Sequence, residues 1–228
     1  MMKLYIGNKN YSSWSLRPWV LMRQLEIEFE ENLRPFPSAV EPHPFREFSP
    51  TGKVPCLVDG ATTVWDSLAI CEYLAEQFPR VWPSDSAARA WARSAAAEMH
   101  SGYSNIRNTC TMNCGLRVQL RTVPPAVTAE WARMDELWCD GLSRFHGPFL
   151  AGQVFTAVDA FYAPVAFRIQ TYSPALSEAA LGYAQRLLAL PTMQQWYEAA
   201  LREPWREEQH EAEAREVGVW LQDLRHSA

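Results

Sequence analysis

The 228-residue chain is predicted to be a small mixed α/β domain followed by a longer all-helical half. Three observations carry that reading. Strand and helix patterns alternate over the first third, which implies a mixed sheet with helices packed on it. The stretch Phe78-Pro79-Arg80-Val81-Trp82-Pro83-Ser84-Asp85-Ser86 then interrupts the pattern with turn residues and two prolines. Beyond it the chain turns Ala-rich and helical, and no strand alternation is read there. The predicted division is residues 1–78, a linker at 79–86, and residues 87–228.

Leu4-Tyr5-Ile6 is a short strand candidate. Ser15 to Leu25 reads as a helix, with Leu16, Trp19, Val20 and Arg23 spaced for one face. Phe29 to Leu33 is a second strand candidate, and Pro42 to Phe48 is irregular or a short helix. Residues 54–58 and 62–65 form a hairpin pattern around Asp59-Gly60. Leu68, Cys71, Tyr73, Leu74 and Phe78 follow at helical spacing. In the second half, helices are predicted over 87–99, 125–145, 155–172, 176–190 and 193–202. Thr156 to Asp159 has the form of a capping box, with Asp in place of the usual Glu, directly before an apolar run. After Trp205 the tail is charged; Glu207 to Glu216 reads as a solvated helix face, and Val217, Val219, Trp220 and Leu221 are expected to dock on the body.

Composition narrows the function classes. A net charge of −5 argues against a nucleic-acid or anionic-membrane partner. No apolar run reaches the ~18–20 residues of a membrane span, and Met1 to Gly7 is too short for a signal peptide. Cysteines 56, 71, 110, 114 and 139 are odd in number and scattered, which fits a reducing cytoplasm. Cys110 and Cys114 stand four apart, the spacing of two ligands on one helix face, but no histidine or second cysteine pair completes a zinc site, so no metal is expected.

The stretch richest in chemistry is Gly52-Lys53-Val54-Pro55-Cys56-Leu57-Val58-Asp59-Gly60, followed by Trp65-Asp66-Ser67. Pro55 opens an apolar run where it cannot donate a ladder hydrogen bond. A strand that stops at such a kink leaves the Val54 N–H and C=O free for the backbone of a peptide-like ligand. Asp66-Ser67 sits where a helix begins, with N–H groups and a positive dipole end suited to a carboxylate. Ser12 and Ser13 stand at the start of the first helix. They serve either as helix caps or as hydroxyl donors to a ligand, and the two roles are compatible. No His or Asp lies near them in sequence to make either a nucleophile.

Four pieces together resemble the cytosolic glutathione transferases: Ser12-Ser13-Trp14-Ser15-Leu16-Arg17 after the first strand, Gly52-Lys53-Val54-Pro55, Asp66-Ser67, and Thr156 to Asp159. The resemblance covers essentially the whole chain. The serine motif looks most like the zeta class and its bacterial serine-type relatives, although Trp14 stands where that class usually has Cys. The resemblance implies a thioredoxin-like N-terminal domain with an all-α C-terminal domain, and glutathione as cosubstrate. Ser12 or Ser13 would then hold the glutathione thiolate, which is the reactive form. The zeta pattern's spacing to Arg17 favours Ser12. Val54 at Pro55 would pair with the cysteinyl backbone, and Lys53 would contact the tripeptide. Ser67 and Asp66 would hold the γ-glutamyl end. Trp14, Tyr103 and Arg107 would line the second-substrate pocket, with Tyr103 and Arg107 sharing a helix face four residues apart. Arg107 serves either a substrate carboxylate or a salt bridge. Arg168 lies in the capping-box helix, about a turn before the zeta arginine, at whose place stands Thr171.

The implied activity is transfer of glutathione to a small electrophile. The alternatives are a glutathione-dependent isomerase of the maleylacetoacetate type, a dehalogenase, or a non-catalytic interaction module of the same fold. A cytoplasmic homodimer is implied as well.

Overall fold

The computed structural model describes residues 1–36 and 44–225. Pro42, the start of the irregular or short-helix stretch expected up to Phe48, lies outside the described residues.

The N-terminal sheet has four strands: β1 (Met2–Ile6), β2 (Phe29–Leu33), β3 (Cys56–Asp59) and β4 (Thr62–Trp65), in the order β2-β1-β3-β4. β1 runs parallel to β2 through a crossover over α1 (Ser13–Gln24), with Met2 opposite Phe29. β3 lies antiparallel to β1 and β4, with Tyr5 opposite Cys56 and Cys56 opposite Trp65. The β3 ladder therefore starts one residue after Pro55, which has no N–H to give it. α2 (Ser67–Gln77) follows directly, and a 3₁₀ turn at Pro79–Val81 leads to the next helix.

The remaining chain contains α3 (Ser86–Ser101), α4 (Ser104–Thr109), α5 (Pro125–Phe145), α6 (Ala157–Tyr172), α7 (Glu178–Leu188), α8 (Pro191–Arg202) and α9 (Glu208–Val217). α6 is the central pillar. Its residues are buried on every side, as expected of a helix apolar all round, and it packs against α1, α3 and α7. The box at its start is realised by Asp159, whose carboxylate accepts from the N–H of Thr156 (2.9 Å) and Leu150 (3.0 Å) and from the Tyr183 hydroxyl (2.8 Å). Burial pushes this carboxyl up to about 6 while those donors pull it down.

The second half is not purely helical. β5 (Leu116–Leu120) pairs antiparallel with β6 (Gly218–Asp223). Leu116 and Val118 alternate with Arg117 and Gln119 at period two, but five residues of pattern are weak when the partner strand stands about a hundred residues away. Gly218 lies too close to the partner strand for a side chain: a Cβ there would meet Val118 Cγ1 at 2.4 Å and the Gln119 carbonyl at 2.6 Å. The expected docking of the tail holds only in part. Trp220 packs on the core, whereas Val219 and Leu221 point outward, 51% and 61% exposed. α9 is not merely a solvated face, because Glu211 is buried against Arg225.

Candidate functional site

The loop between β1 and α1 is held from the far end of the chain. Asn8, Lys9 and Asn10 are buried. The Glu203 carboxylate, just past α8, accepts from the N–H of Lys9 at 2.6 Å and of Asn10 at 3.2 Å. Trp196 Nε1 donates to the Lys9 carbonyl at 2.8 Å, and Asn10 bonds Asn113 and the N–H of Gly115. Burial pushes Glu203 up to about 7, against the pull of the two backbone N–H groups.

This clamped loop presents Ser12 and Ser13. Ser12 occupies the N-cap position of α1, yet its side chain makes no cap bond. Its hydroxyl donates instead to Ser15 Oγ at 2.7 Å, and Ser15 Oγ also accepts from the Gly7 N–H. The Ser13 oxygen accepts from Arg168 Nη2 at 3.4 Å.

Across from the loop, the Val54–Pro55 peptide is cis. Pro55 is buried and Val54 half-buried. Among the described residues no hydrogen bond uses the Val54 backbone N–H or C=O. Lys53 beside it is exposed.

Asp66 caps α2: its carboxylate accepts from the N–H of Leu68 at 2.8 Å and Ala69 at 3.3 Å. Its backbone sits at φ 77°, ψ 138°, a region that costs a non-glycine residue of order 1–3 kcal/mol and that clusters at ligand sites. Ser67 is buried, and its hydroxyl lies 3.5 Å from Arg17 Nη1. His100 Nε2 lies 3.5 Å from Asp66 Oδ2, and burial lowers the His100 pKa.

A set of cations joins these parts. Arg17 is fully buried, with its guanidinium 4.1 Å from the Trp14 ring centre and 4.8 Å from that of Phe161. Its Nε has no hydrogen-bond partner among the described residues. Burial, with the charges of Arg168 and Arg107, pushes it down to about 9. Arg168 is buried too and pushed down to about 10, mainly by burial. Arg107 stands 5.2 Å from the Trp14 ring centre and donates to the His100 carbonyl. Among the described residues no carboxylate forms an ion pair with any of the three.

One cleft of about 750 Å³ gathers most of these groups. Ser12, Ser13, Trp14, Lys53 and Val54 line it from the N-terminal side, and Arg107, Met112 and Arg168 from the helical side. Pro55, Asp66 and Ser67 are outside its lining and adjoin it through Arg17, which touches both Ser67 and Trp14. Tyr103 is a correction. α3 ends at Ser101 and α4 starts at Ser104, so Tyr103 falls at the break between them, at φ 55°, and shares no helix face with Arg107. Its hydroxyl donates to Glu98, away from the cleft. Cys110 and Cys114 likewise fall beyond the end of α4, each buried and reduced, and no group of three metal-ligating side chains occurs among the described residues.

Several cleft residues escaped the sequence reading. Tyr11 lines the cleft beside the serines, and His210 and Glu213 of α9 line it from the C-terminal side. The run containing the latter two looked like plain solvated surface. Glu203 carried no motif at all; the one signal was a lone acid at a helix end, too common to mean anything by itself.

Residues 11–77 match the glutathione S-transferase N-terminal domain family. A dichloromethane dehalogenase from Methylophilus leisingeri is 44% identical over 59 residues, 25% of this chain and 22% of that protein. The chain thus spans about a fifth of the length of that dehalogenase. Glutathione S-transferase T1 of Arabidopsis thaliana is 32% identical over 159 residues, 64% of this chain and 65% of that one. A glutathione transferase homologue from Burkholderia GL BGR1, solved with bound glutathione, superposes with a TM-score of 0.62 at 22% identity, covering 87% of this chain and 97% of that one. Residues 11–77 thus resemble the glutathione S-transferase N-terminal domain, and the thioredoxin-like-plus-helical fold is shared with that glutathione transferase homologue.

Proposed function

We propose that this protein is a glutathione transferase that joins the thiol of glutathione to a small electrophile. The observation that carries the reading is the cleft itself, where an unpaired Val54 backbone and two helix-start serines face one space. Val54 pairs with the cysteinyl backbone of the tripeptide as an added strand, with Pro55 ending the ladder and Lys53 meeting the ligand's outer side. Asp66 and Ser67 take the γ-glutamyl end at the α2 N-terminus, which requires the ligand to reach past Trp14. A serine hydroxyl at the start of α1 donates to the thiolate, and the helix dipole favours that charge. The thiol proton leaves to water. The sulfur lone pair then forms the new S–C bond while the carbon–leaving-group bond breaks, and the leaving group departs with its electron pair. Trp14 and Arg107 bound the space for the electrophile; Tyr103 has no part in it.

The domain division at 78 and 86, the cytoplasmic location and a homodimer belong to the same proposal. The test is calorimetric titration with glutathione together with conjugation of a model aryl halide. Binding plus net consumption of glutathione is the expected result. No binding at millimolar glutathione would turn the reading to an interaction module. The likeness to a dichloromethane dehalogenase favours a second reading, in which glutathione is regenerated; turnover without net glutathione loss would select dehalogenation or isomerisation.

A further inference from the structure

We propose that Ser13, not Ser12, is the hydroxyl that meets the glutathione sulfur, and that Arg168 is the positioning residue that leaves the Ser13 proton available. This rests on the glutathione reading above and deepens it.

The two serines are adjacent but not equivalent. A hydroxyl has one proton to donate and two lone pairs to accept with. Ser12 gives its proton inward, to Ser15 Oγ at 2.7 Å. That bond belongs to a buried chain of polar groups ending at the Gly7 N–H, which donates to the same Ser15 oxygen at 3.1 Å. Turning the Ser12 proton to a ligand breaks this chain. Ser13 is wired the other way. Its oxygen accepts from Arg168 Nη2 at 3.4 Å, and among the described residues its own proton has no acceptor. Its side chain borders the cleft. A hydroxyl that accepts from a cation is polarised and becomes a stronger donor in its turn.

Arg168 is built to hold that orientation. Its Nε donates to the Cys110 carbonyl at 2.9 Å and its Nη1 to the Pro164 carbonyl at 3.3 Å, so the planar guanidinium is fixed in the wall. Both of those partners are neutral carbonyls. The positive charge thus remains uncompensated beside Ser13, with Arg107 on the same cleft and Arg17 behind Trp14. A thiolate is the anion that this corner accommodates. In the ionisation step the thiol S–H bond breaks and its proton passes to water. Ser13 keeps its own O–H, which donates to the sulfur anion, and Arg168 stays protonated throughout.

The test follows the ultraviolet thiolate band of the glutathione complex against pH, in wild type, Ser12→Ala, Ser13→Ala, Ser13→Thr and Arg168→Gln. Ser13→Ala is expected to lower the ionisation constant of the bound thiol by about tenfold or more, the scale of one hydrogen bond to a charged group. Ser12→Ala is expected to lower it less. Ser13→Thr, which keeps the hydroxyl, restores most of the ionisation. Arg168→Gln keeps a donor and loses the charge, and is expected to shift the titration toward that of Ser13→Ala. If Arg168 only braces the fold, its variant loses stability and the thiol titrates as before, which overturns the positioning role. Should Arg168→Gln not fold, the contrast between the two serine variants still decides the assignment: a larger shift for Ser12→Ala overturns it. Calorimetry separates this from the parent reading. No glutathione binding to wild type defeats both, whereas binding with a thiol titration indifferent to Ser13→Ala defeats only this inference.

Discussion

The two sides of the cleft are assembled in different ways. The sheet side comes from one contiguous stretch, in which Lys53, Val54, Asp66 and Ser67 lie within 15 residues and act through backbone groups and a helix start. The helical side is collected from distant segments: Arg168, Glu203 and α9 converge on a loop at residues 8–13, and Arg107 meets Trp14 just after it. Backbone recognition depends on chain path, which short motifs specify. Side-chain walls depend on how far-apart helices pack, which no short motif records. On the function proposed above, the glutathione end falls on the legible side and acceptor choice on the other.

The sharpest way to break that contrast is to cut the longest link. Glu203→Ala removes the acceptor of two buried N–H groups, at Lys9 and Asn10. Leaving each unsatisfied costs roughly 1–3 kcal/mol, so chemical denaturation is expected to show a loss of about 3 kcal/mol. Turnover should fall further than glutathione affinity, because the serines move while Val54 does not. An equal loss in both parameters would show that the loop and the sheet edge form one unit.

A pH experiment sharpens the same link. The folded Glu203 carboxyl is raised by burial to about 7, from an ordinary 4.5. The folded state therefore binds more protons than the unfolded state between those values, and the associated stability is present at low pH and lost as pH rises through 7. Asp159 acts with the same sign, its contribution being lost as pH rises through about 6. His100, lowered by burial, acts in the opposite direction. Subtracting the stability profile of Glu203→Gln from that of wild type isolates the Glu203 contribution. Between pH 6 and 8 the difference is expected to fall by an amount on the order of 1–2 kcal/mol. A flat difference would mean that the carboxylate is ionised throughout that range.

On the sheet side, Ser67→Ala tests the carboxylate reading. A hydrogen bond to a charged group contributes roughly 1.5–3 kcal/mol, so glutathione affinity should fall at least about tenfold, with the stability of the free protein changing far less. Unchanged affinity would remove Ser67 from the site and leave its hydroxyl as a partner of Arg17 alone.

What the sequence disclosed follows this division. The succession of strands and helices up to β4, the start of α2 at Asp66-Ser67 and the box at Thr156–Asp159 are local: each is set by a proline, a cap or a period within a dozen residues. β5 and β6 were missed because each is a strand only in the other's company. Tyr103 was misplaced because helical spacing was extended across a break at Gly102, where the chain is extended (φ −103°, ψ −163°) before Tyr103 turns left-handed. Arg168 was visible in its helix, but nothing in the sequence shows that its guanidinium arrives at Ser13, 155 residues earlier.

The smallest expected effect separates the third wall from the other two. The Tyr11 hydroxyl donates to Glu211 at 2.7 Å and accepts from Arg225 at 3.1 Å, tying α9 and β6 to the serine loop. Burial first, then Glu211, raises this phenol to about 12, so it remains a donor at any working pH. Tyr11→Phe keeps the ring and removes those bonds, which should lower stability by about 1 kcal/mol. Arg225 still pairs with Glu211 and Asp223, so α9 loosens without detaching. His210 and Glu213 border the cleft from α9, and loosening that wall should alter KM for the electrophile more than the Kd for glutathione. The opposite ranking would place α9 on the tripeptide side, and the division between a backbone-read half and a side-chain-walled half would no longer describe this cleft.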